Sequence, residues 1–140
     1  MNIRQFAETD RPVLRELYVA SRAATFTWMD ATMFTLADFD TDTATECIWV
    51  ASRNDKVQGF ISVWLPDHFI HCLYISPAAT GRGIGSALLK YCLAHTGRPA
   101  RLKCKIRNTT ALRFYEAHGW ETIAEDGTNS NGDYYLMSFS

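Results

Sequence analysis

No two of the four cysteines, Cys47, Cys72, Cys92 and Cys104, form a Cys-x-x-Cys pair, and each lies in an apolar stretch. Buried, reduced thiols are expected. At 140 residues the chain also has core enough to do without a disulfide framework. Long apolar runs are missing too. The longest, Phe60–Leu65, is broken by Ser62 and falls far short of the ~20 residues that span a bilayer. Neither sign of charge dominates: 14 Lys and Arg face 15 Asp and Glu, which excludes a broad electrostatic nucleic-acid binder. Acidic and polar residues follow Met1 at once, with no apolar leader core, so a cytoplasmic protein is expected, without membrane or nucleic-acid partners. Repeats and low-complexity linkers are absent, so one domain over residues 1–140 is expected. Metal-ligand spacing is poor. His68 and His71 are three apart on a strand, and Cys92 and His95 sit among leucines, so no metal site is expected.

The patterns that are present alternate between two periods. Ile3–Phe6 reads as a strand, followed by a helix capped by Thr9 or Asp10, with Pro12 in its first turn and a stripe of Val13, Leu14, Leu17 and Tyr18. A weaker helical pattern covers Ala31–Phe39 through Met33, Leu36 and Phe39. Ile48–Arg53, an Asn54-Asp55 turn and Lys56–Leu65 predict a hairpin, and Phe69–Ser76 a further strand. Ile84–His95 and Thr109–His118 read as helices around a strand at Arg101–Ile106. Trp120–Ala124 and Tyr134–Phe139 read as closing strands, joined by a turn at Asp126–Asp133. The order β-α-α-β-β-β-α-β-α-β-β predicts a mixed α/β fold (α+β).

The strongest chemical feature is Leu73-Tyr74-Ile75-Ser76-Pro77 running into Thr80-Gly81-Arg82-Gly83-Ile84-Gly85-Ser86. A strand, a glycine turn and a helix start gather free backbone N–H groups around one point, where the helix dipole adds positive charge. Such a loop suits a phosphate or pyrophosphate. It is not a P-loop, which ends in Gly-Lys-Ser/Thr, nor a dinucleotide fingerprint, whose last glycine is Ser86 here.

With a second motif, Asn108-Thr109-Thr110-Ala111-Leu112-Arg113-Phe114-Tyr115 and then Gly119-Trp120, the loop resembles the GNAT superfamily of N-acetyltransferases. Gly83 and Gly85 match the family's Gln/Arg-x-x-Gly-x-Gly/Ala signature; Thr80 stands where Gln or Arg is usual, which implies weaker cofactor affinity. The resemblance implies a central mixed sheet of about seven strands, splayed between strands 4 and 5. It also implies acetyl-CoA as cosubstrate. The pyrophosphate would lie on Thr80, Gly81, Arg82, Gly83, Ile84, Gly85 and Ser86, and the pantetheine arm along Leu73, Tyr74 and Ile75, with an N–H near Tyr74 or Ile75 polarising the thioester carbonyl. Tyr115 would give a proton to the departing thiolate. From the residues alone it is equally a helix aromatic beside Phe114. Asn108 would contact the cofactor arm or cap its helix. Similar enzymes carry a histidine in the fourth strand as base, the position of His71; a hydrogen-bonded structural histidine is the alternative.

Phe26, Trp28, Met29 and Phe34 lack helical periodicity and are either core or an acceptor wall, with Trp64 and Tyr134 as weaker candidates. Arg101, Lys103, Lys105 and Arg107 make one strand face basic, facing cofactor phosphates, an acidic acceptor or solvent. An acidic stretch runs over Asp38–Glu46. The expected activity is acetyl transfer from acetyl-CoA to a small primary amine. A peptide N-terminus or protein lysine is the next acceptor class, and a non-catalytic acyl-CoA sensor is the alternative of another kind. Homodimers are common among similar proteins.

Overall fold

A computed structural model describes residues 1–126 and 133–140, leaving the predicted turn at Asp126–Asp133 almost wholly outside the described residues. The strands are β1 (Asn2–Gln5), β2 (Cys47–Arg53), β3 (Lys56–Trp64), β4 (Phe69–Ile75), β5 (Ala100–Lys105), β6 (Glu121–Asp126) and β7 (Tyr134–Phe139). The helices are α1 (Arg11–Thr25), α2 (Asp38–Asp42), α3 (Ile84–His95) and α4 (Thr109–Ala117). One seven-stranded sheet runs β1-β2-β3-β4-β5-β7-β6. β4 and β5 are its parallel pair, and every other neighbouring pair is antiparallel.

Period-2 alternation divides the apolar residues between two faces. Trp49, Ala51, Ile61, Val63, Leu102 and Cys104 pack with Leu88, Leu89 and Cys92 of α3. Ile48, Val50 and Phe60 pack with Leu14, Leu17 and Tyr18 of α1 and with Phe39 of α2. The β2–β3 hairpin turns on Asn54 and Asp55 at φ 54° and 62°; paired left-handed residues match the right-handed strand twist.

Two local expectations fail for identifiable reasons. The helix expected over Ala31–Phe39 is a single 3-10 turn, Ala31–Met33, and then the separate α2. Asp30 accepts from Thr32 N at 3.0 Å and Asp38 from Thr35 N at 2.9 Å, so side chains take the amides a continuous helix would use. Met33 and Leu36 are 59% and 52% exposed; of the three-spaced apolar residues only Phe39 is buried. Asp10 does precede α1, but its side chain makes no cap. It turns back to accept from Ala7 N at 2.9 Å and pairs with Arg4 at 2.7 Å.

The feature that positions the site lies in β4. Its register with β3 passes from Cys72↔Ser62 to Ile70↔Val63, so His71 is one extra residue, a bulge. Ile70 therefore shares the α3 face with Leu73 and Ile75, while Cys72 and Tyr74 face α1. Without the bulge Ile70 would point the other way.

Candidate active site

β4 and β5 pair only at Phe69↔Arg101 and Ile70↔Leu102; beyond that point they part. Ser76 N donates to Gln58 O of β3 at 2.8 Å. By strand alternation Tyr74 also turns its backbone groups to β3, and Leu73 and Ile75 turn theirs into the gap. A chain laid along that gap meets unpaired backbone donors and acceptors. Of the two N–H groups considered for the carbonyl, the one on Ile75 has the right direction.

Where the strands part, a cavity of about 500 Å3 opens. His71, Leu73 and Tyr74 of β4 line it, with Phe69 and Ile70 at its base. Across the gap stand Lys103, Cys104 and Lys105 of β5, with Asn108, Ala111 and Tyr115 of α4 and Tyr134 of β7. Tyr18 and Arg22 of α1, then Phe26, Met29, Phe34 and Asp42, close the remaining side. Trp28 does not line the cavity; its ring lies 5.5 Å from Phe26, with the Arg107 guanidinium 5.1 Å over it. The basic strand face thus opens through Lys103 and Lys105 onto the cavity, while Thr80–Ser86 lie outside its lining. Lys105 Nζ donates to Tyr134 Oη at 3.1 Å.

The glycine loop stands at the other end of β4. Gly81 and Gly83 have φ of 78° and 79°, and a Cβ built on either meets nothing within 4 Å. The backbone is open to a ligand there, in a conformation that side chains resist. Ala87 N is bonded to Gly83 O at 3.1 Å, so the amides of Ile84, Gly85 and Ser86 belong to the first helical turn, which has no intrahelical acceptors. Thr80 Oγ1 donates to Pro77 O at 3.3 Å and stiffens the loop instead of reaching outward. Ser86 is held as well. His118 Nδ1–H donates to Phe114 O at 2.7 Å, leaving Nε2 to accept from Ser86 Oγ at 2.8 Å, which ties α3 to α4.

Tyr115 sits on α4 with its ring 5.9 Å from Trp120. Burial, reinforced by the neighbouring Cys104 and Cys72 thiols, pushes its phenol well above the ordinary value, so it stays protonated as an acid must. Asn108 caps α4, its Oδ1 accepting from Ala111 N at 3.3 Å, and also lines the cavity. Burial lowers the His71 imidazolium from its ordinary value; Asp42 opposes this and Lys103 adds to it. That shift favours the neutral ring.

Sequence reasoning missed two acidic neighbours of the cavity. Glu46 meets His71 Nδ1 with its carboxylate and is 3% exposed, against 46% for His71. Asp42 accepts from Tyr18 Oη at 2.6 Å. The acidic stretch was the only signal for Glu46 and Asp42; their partners lie 25 and 24 residues away in the chain.

The other histidines have packing roles: His68 accepts from Gly97 N at 3.1 Å, and His95 stacks on Tyr91 with centroids 4.2 Å apart.

Residues 12–120 match the model of the acetyltransferase (GNAT) family. The chain belongs to that family. It is 31% identical over 75 residues to the peptidyl-lysine N-acetyltransferase YiaC of Escherichia coli K12, a match covering 54% of this chain and 50% of that protein. The chain spans about half the length of the curated relatives it matches. The apo form of YjaB from Escherichia coli superposes with a TM-score of 0.82 at 19% identity, over 98% of this chain and 95% of that one. The PaiA N-acetyltransferase of Thermoplasma acidophilum, solved in complex with coenzyme A, superposes at 0.78 with 18% identity, over 98% and 96%. These likenesses show a shared GNAT fold.

Proposed function

We propose that this GNAT protein moves the acetyl group of acetyl-CoA directly to the primary amine of a small molecule. The observation that carries the reading is the gap between β4 and β5, which joins a glycine-lined helix start to a cavity flanked by a base and an acid. Thr80–Ser86 would hold the pyrophosphate, and Leu73 and Ile75 the pantetheine arm through their gap-facing backbone groups. Acetyl-CoA supplies the activated acyl group.

The chain's own residues supply the proton traffic. Asp42 draws an incoming ammonium into the cavity by charge, and His71 accepts its proton to free the nitrogen lone pair. The Ile75 N–H stabilises negative charge on the carbonyl oxygen as the new C–N bond forms. Tyr115 gives its phenolic proton to the sulfur as the C–S bond breaks, and the second proton, which the nitrogen sheds in becoming an amide, returns to the phenolate. Phe26, Met29 and Phe34 shape the apolar side of the acceptor site, and Lys103 and Lys105 suit an acceptor that also carries an anionic group.

A peptide lysine is the second reading, favoured by the resemblance to a peptidyl-lysine N-acetyltransferase. Release of free CoA thiol from acetyl-CoA, measured over a panel of small amines, amino acids and lysine peptides, separates the two. Turnover confined to peptides refutes the small-molecule reading. Acetyl-CoA is expected to raise the melting temperature; absence of any CoA-induced stabilisation refutes acyl-CoA binding altogether. Stabilisation without turnover of any acceptor would make the protein a sensor.

A further inference from the structure

Glu46 is an expensive residue to place where it lies. Its side chain is almost fully covered, yet Oε1 has no hydrogen-bond partner, and only Oε2 is engaged, by His71 Nδ1. A buried carboxylate with one bare oxygen is costly unless something nearby needs its charge. The turn that delivers it is also unusual. Thr45, a β-branched residue, has φ 67°, and Glu46 N donates to Thr43 O at 3.0 Å, which fixes the side chain inward just before β2 begins. The receiving group is equally specific, because His71 is the extra residue of the β4 bulge and lines the cavity. Two local irregularities, one just before β2 and one in β4, are thus needed to bring this pair together.

We infer that Glu46 is the positioning residue of the base: it holds the His71 proton on Nδ1 and leaves Nε2 as the unprotonated nitrogen available to the acceptor. This rests on the reading of His71 as the base given above. When Nε2 takes the ammonium proton, the imidazolium formed is next to a carboxylate that is already oriented and shielded from water, so its charge is compensated without solvent rearrangement. Asp42 of α2, itself bound by Tyr18 of α1, adds negative charge to the same ring, and Lys103 of β5 opposes it.

The test needs no knowledge of the acceptor. Long-range 1H–15N spectra report the tautomer and titration of each histidine ring, and His71→Asn assigns the His71 signals. In the wild type the neutral ring should carry its proton on Nδ1. Glu46→Gln keeps an oxygen for that proton but removes the charge, so the tautomer should persist while the ring titrates about one pH unit lower. Glu46→Leu removes both and should release the ring to a mixture of tautomers. With the fastest amine of the panel, Glu46→Leu should lower kcat at least tenfold with KM for acetyl-CoA unchanged. Should the Leu variant not fold, the near-isosteric Gln variant carries the test through its titration. A wild-type ring protonated on Nε2, or a tautomer and titration unmoved by the Glu46 replacements, overturns the inference. The base reading fails separately, if His71→Asn keeps the acid limb of the wild-type kcat/KM profile.

Discussion

Two glycines near the start of α3 should respond to the same substitution with opposite signs. A Cβ on Gly59 would lie 2.7 Å from Ile75 Cδ1, 3.1 Å from Tyr74 O and 3.4 Å from Ile84 Cγ2. The first contact is with the tip of a flexible side chain, and a rotamer change relieves it. The second is with backbone, so β4 itself must shift, in the segment proposed to hold the pantetheine arm. Overpacking of this kind costs about 1–3 kcal/mol, while removing glycine from the unfolded chain returns about 0.4–1 kcal/mol. Gly59→Ala should therefore destabilise by about 1–2 kcal/mol net, a fall of roughly 3–8 °C in Tm for a chain this size. KM for acetyl-CoA should rise with it. On Gly85 the same Cβ stands 3.7 Å from Phe114 Cζ, an ordinary contact. Gly85 lies within α3, where alanine gains roughly 0.5–1 kcal/mol over glycine, so Gly85→Ala should raise Tm by about 2–4 °C. Differential scanning calorimetry of the two variants decides the matter. A Gly59→Ala protein as stable as wild type, or two shifts of the same sign, would refute the reasoning from close approach.

Further expectations concern the acid, the basic strand and the acid stability of the fold. Tyr115→Phe keeps the ring against Trp120 and should lower kcat about 100-fold or more in the CoA-release assay, with little change in KM; an unchanged kcat would remove Tyr115 from the chemistry. Replacing Lys103 and Lys105 together by Gln should raise KM for a carboxylate-bearing acceptor and leave that for acetyl-CoA alone, and the reverse pattern would move the basic face to the phosphates. Asp10 is pulled below the ordinary carboxylate range by its hydrogen bond from Arg4, helped by Ala7 N and resisted by burial. Its contribution to stability is complete above the unfolded value near pH 4 and is lost as pH falls through the lower folded value. Asp10→Asn should flatten that part of the urea stability profile.

What the sequence disclosed was what short-range chemistry controls. Gly83 followed by apolar residues marks the start of α3 correctly, and Asn54-Asp55 marks the hairpin turn. Glycine and proline punctuation also places Tyr115 on a helix and the loop between β4 and α3. The cover over the cavity was misread because Asp30 and Asp38 compete for the amides of a would-be helix, and a three-residue apolar spacing suits more than one structure. The bulge at His71 is invisible in Phe69-Ile70-His71-Cys72, since nothing in that string marks which residue is supernumerary; only its register with β3 does. Glu46 was hidden for the same reason, its role being defined by a partner two strands away.

The cover over the cavity is attached to the rest of the protein mainly through α1. Arg22 reaches Asp38 at 3.0 Å, and Arg11 and Arg15 reach Asp40 at 2.6 and 2.8 Å. The buried Phe39 ring anchors α2 in the α1 core, which the sheet separates from the core that seats α3. On the proposed reading, donor handling and acceptor choice thus depend on different sets of residues. If the proposed function holds, a lineage carrying this fold could rewrite residues 26–37, even in length, and change which amine is admitted, while the α3 side keeps its packing and the acyl donor its place.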